Sequence, residues 1–125
     1  MFTFIRIYWR AITLLVLACI TTLSLLPVEQ LPIVSGSDKI HHFLAYGFLT
    51  LPVAIKKPKH WQIILLSFVF YSGIIELIQG LFGRNGEWLD LVANGTGILS
   101  GLALAQVILM IKKQWTSKKI SDLAD

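Results

Sequence analysis

An all-α membrane protein of four transmembrane helices, both termini cytoplasmic, is the fold class this chain predicts, on three observations. Its 125 residues are 55% hydrophobic and only 14% charged. The apolar residues come in long runs, unlike the interrupted stripes of a soluble amphipathic helix. The basic residues sit in short clusters beside those runs, where topology anchors belong. A hydrocarbon core about 30 Å thick takes roughly 20 helical residues to cross, so the length holds about four spans and no separate soluble domain. Residues 1–125 therefore read as a single membrane domain.

The first apolar run follows Arg6 and Arg10 and predicts a helix over about 7–26. A basic start before an apolar middle resembles a signal peptide. Pro27, Val28 and Glu29 follow without a small-x-small processing site, so a retained span is expected. Residues 27–37 carry two prolines, a glycine and two serines, the composition of a loop. Ser37 suits the N-cap of a second helix over 38–55, with Asp38 in the first turn where the helix dipole favours an anion. This segment has a polar first half, and a re-entrant or interfacial placement is the alternative to a full span. Lys56, Lys57, Pro58, Lys59 and His60 make a basic turn, and Trp61 stands where an interfacial anchor opens a third helix, 61–81. A short loop holding Arg84 leads to a fourth helix over 88–111, and a basic, polar cytoplasmic tail occupies 112–125.

Orientation follows from the eleven Lys and Arg residues. With both termini in the cytoplasm, Arg6, Arg10, Lys56, Lys57, Lys59, Lys112, Lys113, Lys118 and Lys119 lie inside and only Lys39 and Arg84 face out. A multi-pass protein of the inner (cytoplasmic) membrane is expected. The net charge of +4 is absorbed by these anchors, and no nucleic-acid partner is expected. Cys19, the single cysteine, excludes an intramolecular disulfide and is expected as a small buried apolar side chain.

Threaded this way, Asp38, Lys39, His41, His42, Glu76, Gln79, Arg84, Glu87, Asp90 and Asn94 all fall on the outer side. Ionisable groups in or beside membrane helices are costly, so their clustering marks a functional site. Asp38, His42 and Tyr46 recur every fourth residue and share a helix face. A carboxylate beside an imidazole fixes its tautomer and raises its basicity, as a general base requires. Glu76 and Gln79 also share a face, and a carboxylate so placed must be protonated, paired or wetted. Arg84 or Lys39 would be its simplest salt-bridge partner. Asp90 and Asn94 stand one turn apart on the fourth helix, above the small-residue repeat Ala93, Gly97, Gly101 and Ala105 that lets helices pack closely. A divalent ion on Asp38, His42, Glu76 or Asp90 is chemically conceivable. No HExxH or equivalent spacing occurs, so no metal and no other cofactor is expected.

The string Asp38-Lys39-x-x-His42-Phe43-x-x-Tyr46, then Glu76-x-x-Gln79, then Arg84, Asp90, Asn94 and Gly97, resembles the VanZ-like family of small bacterial membrane proteins, over about residues 37–104. The resemblance implies a multi-helix protein of the bacterial cell envelope, in a family named for a member associated with low-level teicoplanin resistance; it implies no settled enzymatic activity. The expected function is binding of a lipid-linked or anionic envelope component in an outer-leaflet polar pocket, through Lys39, Tyr46, Gln79, Arg84, Asp90 and Asn94. The expected partners are membrane lipids, a lipid-linked cell-wall component or a glycopeptide, and a second copy of the chain through the small-residue stripe. One alternative is an intramembrane hydrolase or transferase acting on a phospholipid or polyprenyl phosphate headgroup, with His42 as base, Asp38 or Glu76 orienting it and Arg84 holding phosphate. Another is a structural membrane subunit whose polar cluster staples its helices together.

Overall fold

Long apolar segments broken only at Pro- and Gly-bearing loops leave the backbone one way to satisfy itself out of water, and the chain is helical wherever it is described. The computed structural model describes residues 2–26, 37–82 and 87–123. Four helices follow in order: α1 (Phe2–Leu25), α2 (Ser37–Lys56), α3 (Trp61–Gln79) and α4 (Trp88–Ser121), with a 3-10 turn, Gly80–Phe82, closing α3. No strand occurs among the described residues.

Side-chain contacts fix the helix directions. Gly97 and Gly101 of α4 meet Phe43 and Gly47 of α2 in the same order along both, so α2 and α4 run parallel. Thr21 bonds Tyr71, and the Ser24 carbonyl accepts from Gln79, so α1 runs parallel to α3. Phe2 and Ile5, at the start of α1, pack near Ala54 and Ile55, at the end of α2, so sequence neighbours run antiparallel. This alternation gathers the end of α1, the start of α2, the end of α3 and the start of α4 at one end of the bundle. The start of α1, the Lys56–Lys59 turn and the lysines of α4 gather at the other, where Lys112 lies 4.5 Å from the centre of the Phe2 ring.

Three helices, α1, α3 and α4, are long and apolar enough to cross a membrane. Their outward faces carry exposed Leu14, Phe70, Leu77 and Leu99, an apolar surface far too broad for a protein in water. The second helix, expected to have a polar first half and to be the least certain of the four spans, is α2, which is not among those three. His42, Tyr46 and Thr50 turn inward onto neighbouring helices, and Leu49, Val53 and Ala54 are completely buried. A helix with one face packed on protein needs a lipid-compatible surface only on the other, where Ile40, Leu44 and Phe48 are exposed, so hydropathy underrates it.

The α2–α4 seam is built on small residues. A Cβ on Gly97 would overlap the Phe43 carbonyl, and one on Gly101 would overlap the Gly47 carbonyl. The stripe that the sequence offered to either an internal or a dimer interface is thus occupied by α2. Gly47, from the opposite side of the seam, completes it. The apolar core lies beside this seam, with Ile20, Tyr46, Leu49, Val53, Leu65, Phe68 and Ile98 in one cluster.

Some boundaries differ from expectation. α1 begins at Phe2, about five residues early, and α4 runs through the basic tail to Ser121. Nothing between Leu102 and Ser121 is Gly or Pro, and Lys118 and Lys119 complement the dipole in the last turn. Cys19 is exposed on the outer side of α1, not buried as expected, because α1 packs through the face of Thr13, Ile20 and Ser24. Pro52 lies inside α2 and withdraws one backbone donor, which α2 accommodates while remaining a continuous helix. Lys57, with φ of 49°, ends α2 in the left-handed conformation, its N–H bonding the Val53 carbonyl at 2.8 Å.

Candidate functional site

The close α2–α4 seam decides what meets at the polar end. With backbones drawn together at Gly97, the side chains one turn above are forced into contact across the helices. His42, 8% exposed, points its Nδ1 at Asn94 Oδ1, 3.0 Å away, and lies 3.8 Å from Glu76 Oε1 by the same nitrogen. Asn94, completely buried, donates from Nδ2 to Glu76 Oε1 at 3.4 Å. One amide thus links an imidazole on α2 to a carboxylate on α3. With Oδ1 accepting, the His42 tautomer bears its proton on Nδ1.

Nearer the bundle end, Lys39 bonds Glu87 Oε2 at 2.7 Å and stands 3.8 Å from Asp90 Oδ1. The outer pair is half-exposed, whereas Asp90 is only 3% exposed. Asp90 occupies the first turn of α4, where its charge is favoured by the helix dipole. His42, Glu76 and Asp90 come from three different helices, and one potential ligand atom from each lies within 4.8 Å of the others.

Not every expected residue joins this network. Gln79, 2% exposed, donates its Nε2 hydrogen to the Ser24 carbonyl at 3.0 Å and ties α3 to α1. Tyr46 is 1% exposed and sits a turn below His42, its hydroxyl close to that of Ser72; neither oxygen reaches bonding geometry with a described group. Lys39, considered as a partner for Glu76, instead holds Glu87 and Asp90. His41 is exposed. Asp38 is the second residue of α2, its side chain outside the described set, and Arg84 lies outside the described residues.

Two contributors were not singled out as site residues from sequence. Glu87, which the sequence grouped with the outer-side polar cluster without a binding role, is the main partner of Lys39. Ser72 lies one turn before Glu76 on the same face of α3, and that spacing was its signal. Between α3 and α4 an apolar groove, lined by Val69, Phe70, Ile74 and Leu91, runs up to Glu76 and Glu87. Gly73 helps line this groove, and a Cβ placed there would meet nothing within 4 Å.

Fold and site together define a small polytopic α-helical membrane protein with a buried inter-helix polar network at one end. The family model for VanZ/LLP1 matches residues 1–110, and the chain belongs to that family. No curated protein and no solved structure matches it.

Chemically, an imidazole against a carboxylate can take up a proton, and buried carboxylates at a membrane surface can engage cations or polar headgroups. An apolar groove lies beside them.

Proposed function

We propose that this VanZ-family protein binds the headgroup of a lipid-linked or anionic component of the cell envelope at its polar end. Its acyl or prenyl chain lies in the α3–α4 groove. The protein resides in the cytoplasmic membrane with all four helices crossing and both termini inside, and the polar end opens to the outer leaflet. The observation that carries this reading is the groove itself: apolar along Val69, Phe70, Ile74 and Leu91, it ends at Glu76 and Glu87 and so has the polarity of a lipid. The basic residues at the opposite end of the bundle support the orientation. Any contribution to glycopeptide tolerance acts through the bound component, on the membrane face where glycopeptides arrive.

The test is native mass spectrometry of the purified protein after incubation with an envelope lipid extract. Wild type retains lipid, and Gly73→Leu, which fills open space in the groove without a clash at its Cβ, lowers the retained fraction at least tenfold. Equal retention by both, or none by wild type, overturns the proposal. The contact of His42 with Glu76 and Asn94 favours a second reading, an intramembrane hydrolase or transferase. In that case released lipid carries a product mass shift that His42→Ala abolishes while binding persists.

A further inference from the structure

We infer that His42, Glu76 and Asp90 form a binding site for a divalent transition-metal ion such as Mn2+ or Zn2+, shared by α2, α3 and α4. A donor atom from each lies within 4.8 Å of the other two. Small side-chain rotations bring three such atoms onto one ion at ligand distances of about 2.0–2.2 Å. The donor set is one imidazole and two carboxylates. Imidazole suits first-row transition ions, whereas Mg2+ and Ca2+ take oxygen ligands, so the mixed set selects the former.

The cluster is enclosed, unlike acidic groups scattered on a surface: His42 is 8% exposed and Asp90 3%, and the Glu76 side chain is 10% exposed. Asn94 contacts two of the three residues: it donates to Glu76 Oε1 at 3.4 Å and accepts from His42 Nδ1 at 3.0 Å, which leaves Nε2 as the ring's ligand atom, the orienting role that outer groups play around metal ligands. Tyr46 and Ser72, each 1% exposed, lie close together with Tyr46 neighbouring Glu76, and their hydroxyls make no bond of good geometry to a described group. Buried polar atoms in that condition take a partner from outside the chain, as water or ligand.

This inference rests on the polar end being a ligand site, and it names what would join the carboxylates to a phosphate: a dication held by the protein on one side and by the headgroup on the other. Its test uses metal alone. The full chain, purified in detergent and stripped with chelator, is titrated with Zn2+, Mn2+ and Mg2+, and metal per chain is measured after gel filtration. One Zn2+ or Mn2+ per chain is expected, with Mg2+ not retained. Asp90→Asn and Glu76→Gln weaken binding tenfold or more, and His41→Ala, at the neighbouring exposed imidazole, leaves it unchanged. Buried substitutions can disturb folding, so pulsed EPR of Mn2+ bound to the unmodified protein gives a second readout: nitrogen coupling is expected from wild type and is lost in His42→Ala. Substoichiometric binding, unchanged affinity in Asp90→Asn and Glu76→Gln, or bound Mn2+ without nitrogen coupling overturns the site. Metal binding without lipid retention defeats the headgroup reading alone, and lipid retention without metal binding defeats this one alone.

Discussion

Asn94 is the residue on which the polar end turns. It is completely buried and reaches an imidazole with its oxygen and a carboxylate with its nitrogen. A buried polar group deprived of its partner costs about 1–3 kcal/mol, so Asn94→Ala should destabilise by that order. Asn94→Asp keeps the shape but replaces the donor facing Glu76 with a third carboxylate. We expect it to lower the melting temperature in detergent at least as far as Asn94→Ala does; an Asp variant as stable as wild type would show that the Asn94–Glu76 contact carries no weight. At this scale the sequence revealed faces, not partners. Four-residue spacing correctly put His42 and Tyr46 on one side of α2 but could not say that Asn94, 52 positions away, would meet the first of them. Gln79 shows the limit most plainly. Three residues from Glu76, it is displaced about 60° round the helix. At a junction of several helices that angle suffices to turn it from the His42 network to α1.

The decisive element contact is the one between α2 and α4. Gly→Ala ordinarily favours a helix by up to about 1 kcal/mol, and Gly95, with nothing within 4 Å of its Cβ, should show that gain or no change. At Gly97 the added methyl meets the Phe43 backbone, which cannot rotate away. Gly97→Ala should destabilise by about 1–3 kcal/mol, the range for overpacking, and should loosen the His42–Asn94 contact one turn above. Chemical unfolding of the two variants in detergent checks this, and equal effects at both positions would contradict the seam. The stripe Ala93, Gly97, Gly101 and Ala105 was legible from spacing alone, whereas its occupant was not, because Gly47 is a lone glycine in a helix whose first half is polar. Hydropathy failed at α2 for the same reason: it measures fitness for lipid, and this helix presents much of its surface to protein. The helical extension of α4 over its basic tail escaped notice because charge marks the edge of a membrane span, not the end of a helix.

For the whole molecule, alternating helix directions collect the carboxylates, His42 and Lys39 at one end and the lysine clusters at the other. Helix number and the grouping of polar residues were readable from the apolar runs, the capping and loop composition between them, and the charge clusters. The groove between α3 and α4 was not, since its lining residues look like any lipid-facing surface until the structure shows the open space left at Gly73. The proposed binding of an envelope component requires the polar end to face the outside. The most direct measurement is labelling with a membrane-impermeant thiol reagent on intact cells. In a background where Cys19→Ser removes the native thiol, Glu87→Cys reports the half-exposed polar end and Lys118→Cys the end of α4. The account predicts labelling of Glu87→Cys from outside, and of Lys118→Cys only after the membrane is permeabilised. The reverse pattern would put the polar site in the cytoplasm and contradict an outer-leaflet binding role.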